Sequence, residues 1–493
     1  MTKSDTPTDK TAAVKPSAAQ AAKHQIAVLG AGPAGAGAAF YLSQREDVDV
    51  ALYERAPRVG GNAASFQIDG VWCDHGSHRF HPIAEPRIKN EVRRLLGDDF
   101  LTRPRHGRIL LQGRWIHFPL KPIDLLLRIK KTFAFALAFD TIKKILPKKK
   151  PQQETFATIL EGGLGPAMSE AFYFPYVEKL WGLKPSELAV KLAHRRVSGS
   201  SVFKILMKIA RQIPGLKSPT SGVFHYPRKG FGQITEAFAQ AAVDKGATLK
   251  LGAEITAIER DGDRVTGLRY KDSDGEHHIA YDSVWTTLPL SMMARMIEPP
   301  PPRAVLDAAK AIKFRGMILI YLVLETDQFS EYDAHYFPEL SVPISRMSET
   351  KNYYAGKEPK NRTVLCAELP ADPSDEYWAM TDDELGKLYC QWLADMGLPV
   401  TAPVVKTETR RLKFAYPVYS RGYEEHFSVL DEWISSLNGL LSFGRQGLFA
   451  HDNTHHALAM AIGAVDCLGS DGSLDAALWT EKRHEFESHV VED

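Results

Sequence analysis

The chain has 493 residues, 44% of them hydrophobic and 25% charged, enough for two or three domains with substantial cores, which excludes disorder as its general state. Its 61 Lys plus Arg stand against 60 Asp plus Glu, a net charge of +1, so no global field draws nucleic acid or an acidic partner. The four cysteines, Cys73, Cys366, Cys390 and Cys467, are far apart with no CxxC pair, which suits free thiols in a reducing compartment and neither a disulfide framework nor a zinc site.

Residues 1–24 are polar and free of aromatics. They lack the apolar stretch of a secretory signal and read as a disordered tail. No run reaches the about 18 apolar residues of a membrane span, so a cytoplasmic protein is expected. The first element with chemistry is residues 25–54, QIAVLGAGPAGAGAAFYLSQREDVDVALYE. An apolar strand from Ile26 to Leu29 runs through Gly30, Gly32 and Gly35 into an Ala-rich helix. A second apolar strand from Val48 to Tyr53 ends at Glu54. This is a βαβ dinucleotide fingerprint: Gly30 makes the tight turn, Gly32 lets the backbone approach a pyrophosphate, and Gly35 allows close helix-to-strand packing. The helix N-terminus faces the negative charge, and Glu54 can accept from ribose hydroxyls.

NAD and FAD both use this unit. After Glu54 comes RAPRVGGNAAS, with Gly60 and Gly61 closing a short loop. The run resembles the extended motif of the FAD-containing superfamily that includes amine oxidases, protoporphyrinogen oxidases and UDP-galactopyranose mutases. The resemblance makes FAD the leading cofactor and adds Ala34, Arg55 and Asn62 to its expected contacts.

The next stretch, Asp74-His75-Gly76-Ser77-His78-Arg79-Phe80-His81-Pro82, resembles the superfamily loop beside the flavin ring. That implies His78 and Arg79 at the isoalloxazine, where a glycine turn lets the backbone come close. The three histidines could suggest a metal, but no carboxylate or cysteine joins them at ligand spacing, and no metal is expected.

Residues 105–217 read as helical, basic and aromatic. Residues 121–150 carry nine Lys or Arg against two Asp, with Leu and Phe at helix-like spacing. Two readings compete: a basic amphipathic helix in weak peripheral contact with an anionic membrane, or the helical wall of a substrate domain. The segment YVEKLWG, Tyr176 to Gly182, resembles a segment of mutase-like flavoproteins. From 224 the chain returns to the cofactor domain, with a helix at about 232–245 and a strand near whose end the resemblance places Ile255 against adenine.

Residues 341–368 resemble a mutase segment in which an Arg precedes an Asn-Tyr turn, here Arg346 and Asn352-Tyr353. Residues 440–468 form a strand, the turn Gly444-Arg445-Gln446-Gly447 and an Ala-rich helix. The superfamily ends its cofactor domain this way, with the helix N-terminus at the flavin pyrimidine edge. By resemblance Gly444, Arg445 and Asn453 sit at the junction of cofactor and substrate. His451, His455 and His456 have no matching ligand role.

The expected architecture is α/β, with a discontinuous Rossmann-like FAD-binding domain from residues 25–104, 222–295 and 405–480. An α+β substrate domain with a helical part comes from 105–221 and 296–404. The leading function is an FAD-dependent oxidoreductase passing a hydride from a small-molecule substrate to flavin N5. The alternative is a UDP-galactopyranose mutase-like enzyme on a nucleotide sugar or other diphosphate, in which Arg196 and Arg346 match the two diphosphate arginines. A third reading is a non-catalytic flavin-binding or membrane-docking protein. His78, Arg196, Arg346 and Asn453 are the expected reaction-site residues.

Overall fold

A computed structural model describes residues 23–143, 153–196 and 222–491. Its organising layer is a five-stranded parallel sheet in the order Leu440–Ser442, Ser283–Thr286, His24–Leu29, Val48–Glu54, Thr248–Leu251. Ile26, Ala27, Val28 and Leu29 are wholly buried in its centre, the apolar run expected of a parallel strand covered on both faces. The chain leaves it through Gly30, at φ +93°, into the helix Pro33–Leu42. Pro33 at the first helical position has no N–H to leave unsatisfied. This helix packs between Gln233–Asp244 and Thr454–Asp466.

A seven-stranded mixed sheet runs Val404–Pro417, Phe314–Leu324, Thr363–Pro370, Arg346–Glu349, Ala334–Tyr336, Gly107–Leu111, Arg114–Phe118. In its long strand the side chains alternate between two cores. Ile318, Ile320, Leu322 and Leu324 pack with Leu385, Tyr389 and Leu393 of the helix Asp382–Asp395. Met317, Leu319, Tyr321 and Val323 pack with Phe66, Ile68, Val71 and Cys73 of the hairpin Ser65–Ile68 and Val71–Asp74. The strand Val404–Pro417 pairs with Phe314–Leu324, so residues 405–417, given to the cofactor domain from sequence, run in the sheet of the other domain. Its polar, charged alternation is that of an edge strand, which local pattern cannot assign to a sheet.

The helical part comprises Pro122–Arg128, Lys131–Lys143, Phe156–Leu164, Phe174–Trp181 and Val190–Arg196. The lysines 148–150 lie outside the described residues. YVEKLWG has a joining role: Lys179 Nζ donates to the carbonyls of Phe337 and Ile344, and Trp181 Nε1 donates to Pro417 O at 3.0 Å. Ile255 lies at the beginning of the strand Glu254–Asp261, since the chain breaks after Thr248–Leu251 and starts a separate four-stranded sheet.

The fingerprint glycines differ in what they leave room for. A Cβ at Gly35 would stand 1.8 Å from Gly30 O, whereas one at Gly32 meets nothing within 4 Å. Gly35→Ala is therefore expected to lower stability by roughly 1–3 kcal/mol or more, as overpacking against backbone does. Gly32→Ala should change the urea unfolding midpoint little, since the chain-entropy gain is opposed by the poorer N-cap.

Candidate active site

The N-terminus of Pro33–Leu42 opens onto a cavity of about 500 Å³ that reaches from Gly30, Gly32 and Glu54 to Tyr176, Arg346 and Tyr416. Glu54 stands at one end with its carboxylate fixed: Oε2 accepts from Ala31 N at 2.9 Å and Oε1 from Ala56 N at 2.8 Å. The helix N-cap, Gly32, has no side chain to satisfy the first turn's donors, which leaves an anion-binding end.

The histidine-rich loop is held from two sides. Asp74, fully buried, accepts from Ser65 Oγ and Tyr226 OH at 2.5 Å each and from Phe231 N at 3.0 Å. Burial still pushes its carboxyl up to about 6, against those hydrogen bonds. Three residues on, Ser77 N donates to Glu368 Oε1 at 2.7 Å. The same carboxylate accepts from Arg346 Nε at 3.0 Å and Nη2 at 2.9 Å. Arg79 donates to Tyr336 OH at 2.9 Å, Asp333 at 3.0 Å and Tyr353 OH at 3.2 Å.

His78 lines the cavity, stacked on Phe231 at 5.2 Å. Its Nε2 lies 3.0 Å from Asn62 O and 3.1 Å from His75 O; both are acceptors, so Nε2 carries the proton and Nδ1 is the acceptor. Burial, then the Arg346 charge, depress its pKa to about 4, so the ring is neutral at pH 7. His75 Nδ1 donates to Ala64 O at 3.0 Å, while His81 Nδ1 accepts from Ile83 N at 3.2 Å.

Of the residues expected from sequence, Gly30, Gly32, Ala34, Glu54, Arg55, Gly61, Asn62, His78, Arg79, Ile255, Arg346, Arg445 and Asn453 line this cavity. Gly35, Gly60 and Gly444 stand behind the wall: Gly60 N donates to Ala31 O at 2.8 Å, and a Cβ on Gly444 would meet Ala34 Cβ at 2.8 Å. The side chain of Arg196 lies outside the described residues. Asn352 is turned away, donating to Ser330 O and Tyr332 O at 2.9 Å. Arg346 reaches the cavity with its charge already balanced by Glu368, which the sequence did not disclose.

Sequence reasoning missed Arg105, Tyr176, Phe231, Tyr416 and Gln446, all in the wall, and Arg195. The Arg195 guanidinium pairs with the buried Asp452 at 2.8 Å, which also accepts from His489 Nδ1 at 3.3 Å. Asp452, His456 and His489 are, among the described residues, three side chains with ligand atoms within 4.8 Å of one another. The Arg195 cation already occupies the carboxylate, and His456 Nδ1 accepts from Asn453 N at 3.2 Å.

FAD fits this lining. The acid and the uncapped helix suit its adenosine diphosphate end. At the other end Gln446 Nε2 donates to Phe414 O at 2.7 Å while its Oε1, buried in the wall, meets no partner among the described residues, as an acceptor facing a donor-bearing heterocycle would.

Similarity searches agree with this geometry. The sequence profile described as flavin containing amine oxidoreductase matches residues 34–457. A protoporphyrinogen oxidase 1, chloroplastic, of Spinacia oleracea is 22% identical over 447 residues, 83% of this chain and 75% of that protein. A crystal structure of reduced UDP-galactopyranose mutase superposes with a TM-score of 0.78 at 19% identity, covering 95% of this chain and 100% of the other. A putative protoporphyrinogen oxidase from Exiguobacterium gives 0.68 at 16%, covering 94% and 99%. At these identities the two structures bear on the fold alone.

Two outcomes follow from the electrostatics. His78, His455 and His456 are depressed to about 4, 4 and 3, first by burial. Their contribution is intact above the unfolded value near 6.5 and lost as pH falls toward 4 to 3. Asp74, raised to about 6, has the opposite sign between about 4 and 6, as do the carboxyls of Glu236 and Glu349, also raised by burial; but burial depresses His75, His117, His225 and His335 as well. The urea midpoint should fall steadily from pH 6.5 to 4. Second, Arg346→Ala leaves the Glu368 carboxylate buried and unpaired, so stability should drop by about 3–5 kcal/mol. Combining Arg346→Met with Glu368→Gln should recover much of that loss in the same urea titration.

Proposed function

Because the chain belongs to the flavin-containing amine oxidoreductase family, we propose that this enzyme binds FAD and oxidises a small molecule seated between His78, Tyr176, Arg346 and Tyr416. The observation that carries the reading is the continuity of one cavity from the uncapped helix and Glu54 to that aromatic chamber. Glu54 and the first turn of Pro33–Leu42 would hold the adenosine diphosphate portion; Asn62, His78, Arg445, Gln446 and Asn453 would hold the ring. When bound, FAD supplies hydride acceptance, chemistry that asks the protein for orientation and electrostatics.

The chain's own groups suit that division of labour. Asn453 begins the helix Thr454–Asp466, whose positive end favours negative charge placed before it. Arg445 is set by donation to Asp452 O at 3.1 Å and Ala415 O at 2.8 Å, adding a fixed positive charge beside that terminus. His78 is neutral, with Nδ1 as its acceptor; it can accept a hydrogen bond from substrate and orient it, without delivering a proton at pH 7. Tyr176 and Tyr416 are half-buried and give the chamber apolar faces.

A nucleotide-sugar mutase remains the second reading, favoured by the guanidiniums of Arg79, Arg105 and Arg346 on one cavity. Glu368 and Asp333 balance two of them, which leaves less charge for a diphosphate than a pair of unopposed arginines would offer.

Anaerobic mixing separates the two. Oxidised holoenzyme given amines or porphyrinogens should lose its flavin absorbance, with two electrons removed from substrate per flavin reduced. Turnover of a nucleotide sugar only after prior chemical reduction, with flavin returned unchanged, would overturn the oxidoreductase reading in favour of the mutase. His78→Ala should retain FAD and slow flavin reduction by roughly tenfold or more, the loss of one positioned hydrogen bond.

A further inference from the structure

The helices Pro122–Arg128 and Lys131–Lys143 have an inner and an outer face of unlike surroundings. Phe133 and Leu137 face inward and pack with Ile109, Ile116 and Tyr336. On the outer side Leu127 is 76% exposed, Phe135 76%, Phe139 56% and Ile142 63%. Phe135, Phe139 and Ile142 follow the i, i+4, i+7 spacing of a single helical stripe. A helix apolar on both sides is ordinarily covered on both. Here the described residues cover one.

The charges around the stripe have one sign. Arg128, Lys130, Lys131 and Lys143 are exposed, and Lys143 Nζ lies 4.6 Å from the Phe139 ring centroid. The two acids of these helices are held inward: Asp124 by His117 N at 2.9 Å and Arg128 Nε at 2.6 Å, Asp140 by Ala167 N at 2.7 Å. The outer face is therefore apolar and cationic.

We propose that this face docks on an anionic lipid bilayer. The helix Lys131–Lys143 has 13 residues, short of the about 20 needed to span, and no helix among the described residues is long and apolar enough to cross a membrane. It lies in the interface plane, with Phe135, Phe139 and Ile142 entering the acyl boundary and the lysine stems reaching back to phosphate. Each basic residue near such a surface strengthens binding roughly fivefold, and salt removes that part. Tyr336, packed against the same helices, accepts from Arg79 at the cavity wall.

The test is sedimentation of the full-length holoenzyme with vesicles of phosphatidylcholine alone or mixed with phosphatidylglycerol, at low and high salt. Binding to the anionic vesicles is expected, with little to the neutral ones and roughly a hundredfold loss at high salt. Phe135→Asp combined with Phe139→Asp should abolish it while flavin content and unfolding midpoint stay as in the wild type. Lys130→Glu with Lys131→Glu should weaken it by roughly tenfold or more. A wild type that remains in solution overturns the proposal, as does a phenylalanine double variant that binds equally. So does a wild-type dimer that the double variant dissociates while neither binds vesicles, for then a second copy covers the face.

Discussion

The structure depends on the burial of one short backbone segment, residues 74–80, between two sheets. Buried N–H and C=O groups need partners, and water cannot reach most of this loop. Phe80 N and O meet the need by pairing with His225, and the Asp74 carbonyl accepts from Tyr321 OH at 2.7 Å on the strand Phe314–Leu324 of the other sheet, while the Asp74 carboxylate ties the segment to the cofactor side through Ser65, Tyr226 and Phe231. Glu368 meets it on the far side through Ser77 N. A carboxylate in that position must be neutralised, and Arg346 does so with two parallel hydrogen bonds. The guanidinium that sequence reasoning assigned to substrate is first of all the counter-ion of the joint that positions His78 and Arg79.

Legibility in the sequence follows from how local each constraint is. Gly30, Gly32, Gly35 and Glu54 were readable because turn, helix start and acid all lie within 25 residues of one another and each has its own physical need. The same holds for the turn Gly444 to Gly447 and the helix after it. Arg195 was not readable. It sits in the short helix Val190–Arg196 one turn from the buried Leu192, which turns it inward, but the reason for a cation there is Asp452, 257 positions away. Val404–Pro417 was misplaced for a related reason, since a strand's partner is a tertiary fact and its polar alternation says only that one side is open.

The histidines illustrate how burial decides chemistry. Three of them fall within seven positions: His75 and His78 direct ring nitrogens at backbone carbonyls, and His81 accepts a backbone N–H. The nitrogen that donates to a carbonyl carries the proton, so the loop's own backbone fixes the tautomer and the orientation of His75 and His78. The triplet spacing reflects a loop that must satisfy its own backbone in a confined space, with imidazole as a donor that stays uncharged when buried.

The cavity inherits its character from this arrangement. Arg79 and Arg346 stand in its wall with Asp333 and Glu368 behind them, so the positive charges are held rigidly and largely balanced before any ligand arrives. Preorganised dipoles and balanced charges stabilise charge that develops during a reaction more than charge a ligand brings with it. With His78 kept neutral by the same surroundings, the chamber between Tyr176 and Tyr416 provides orientation and a fixed field.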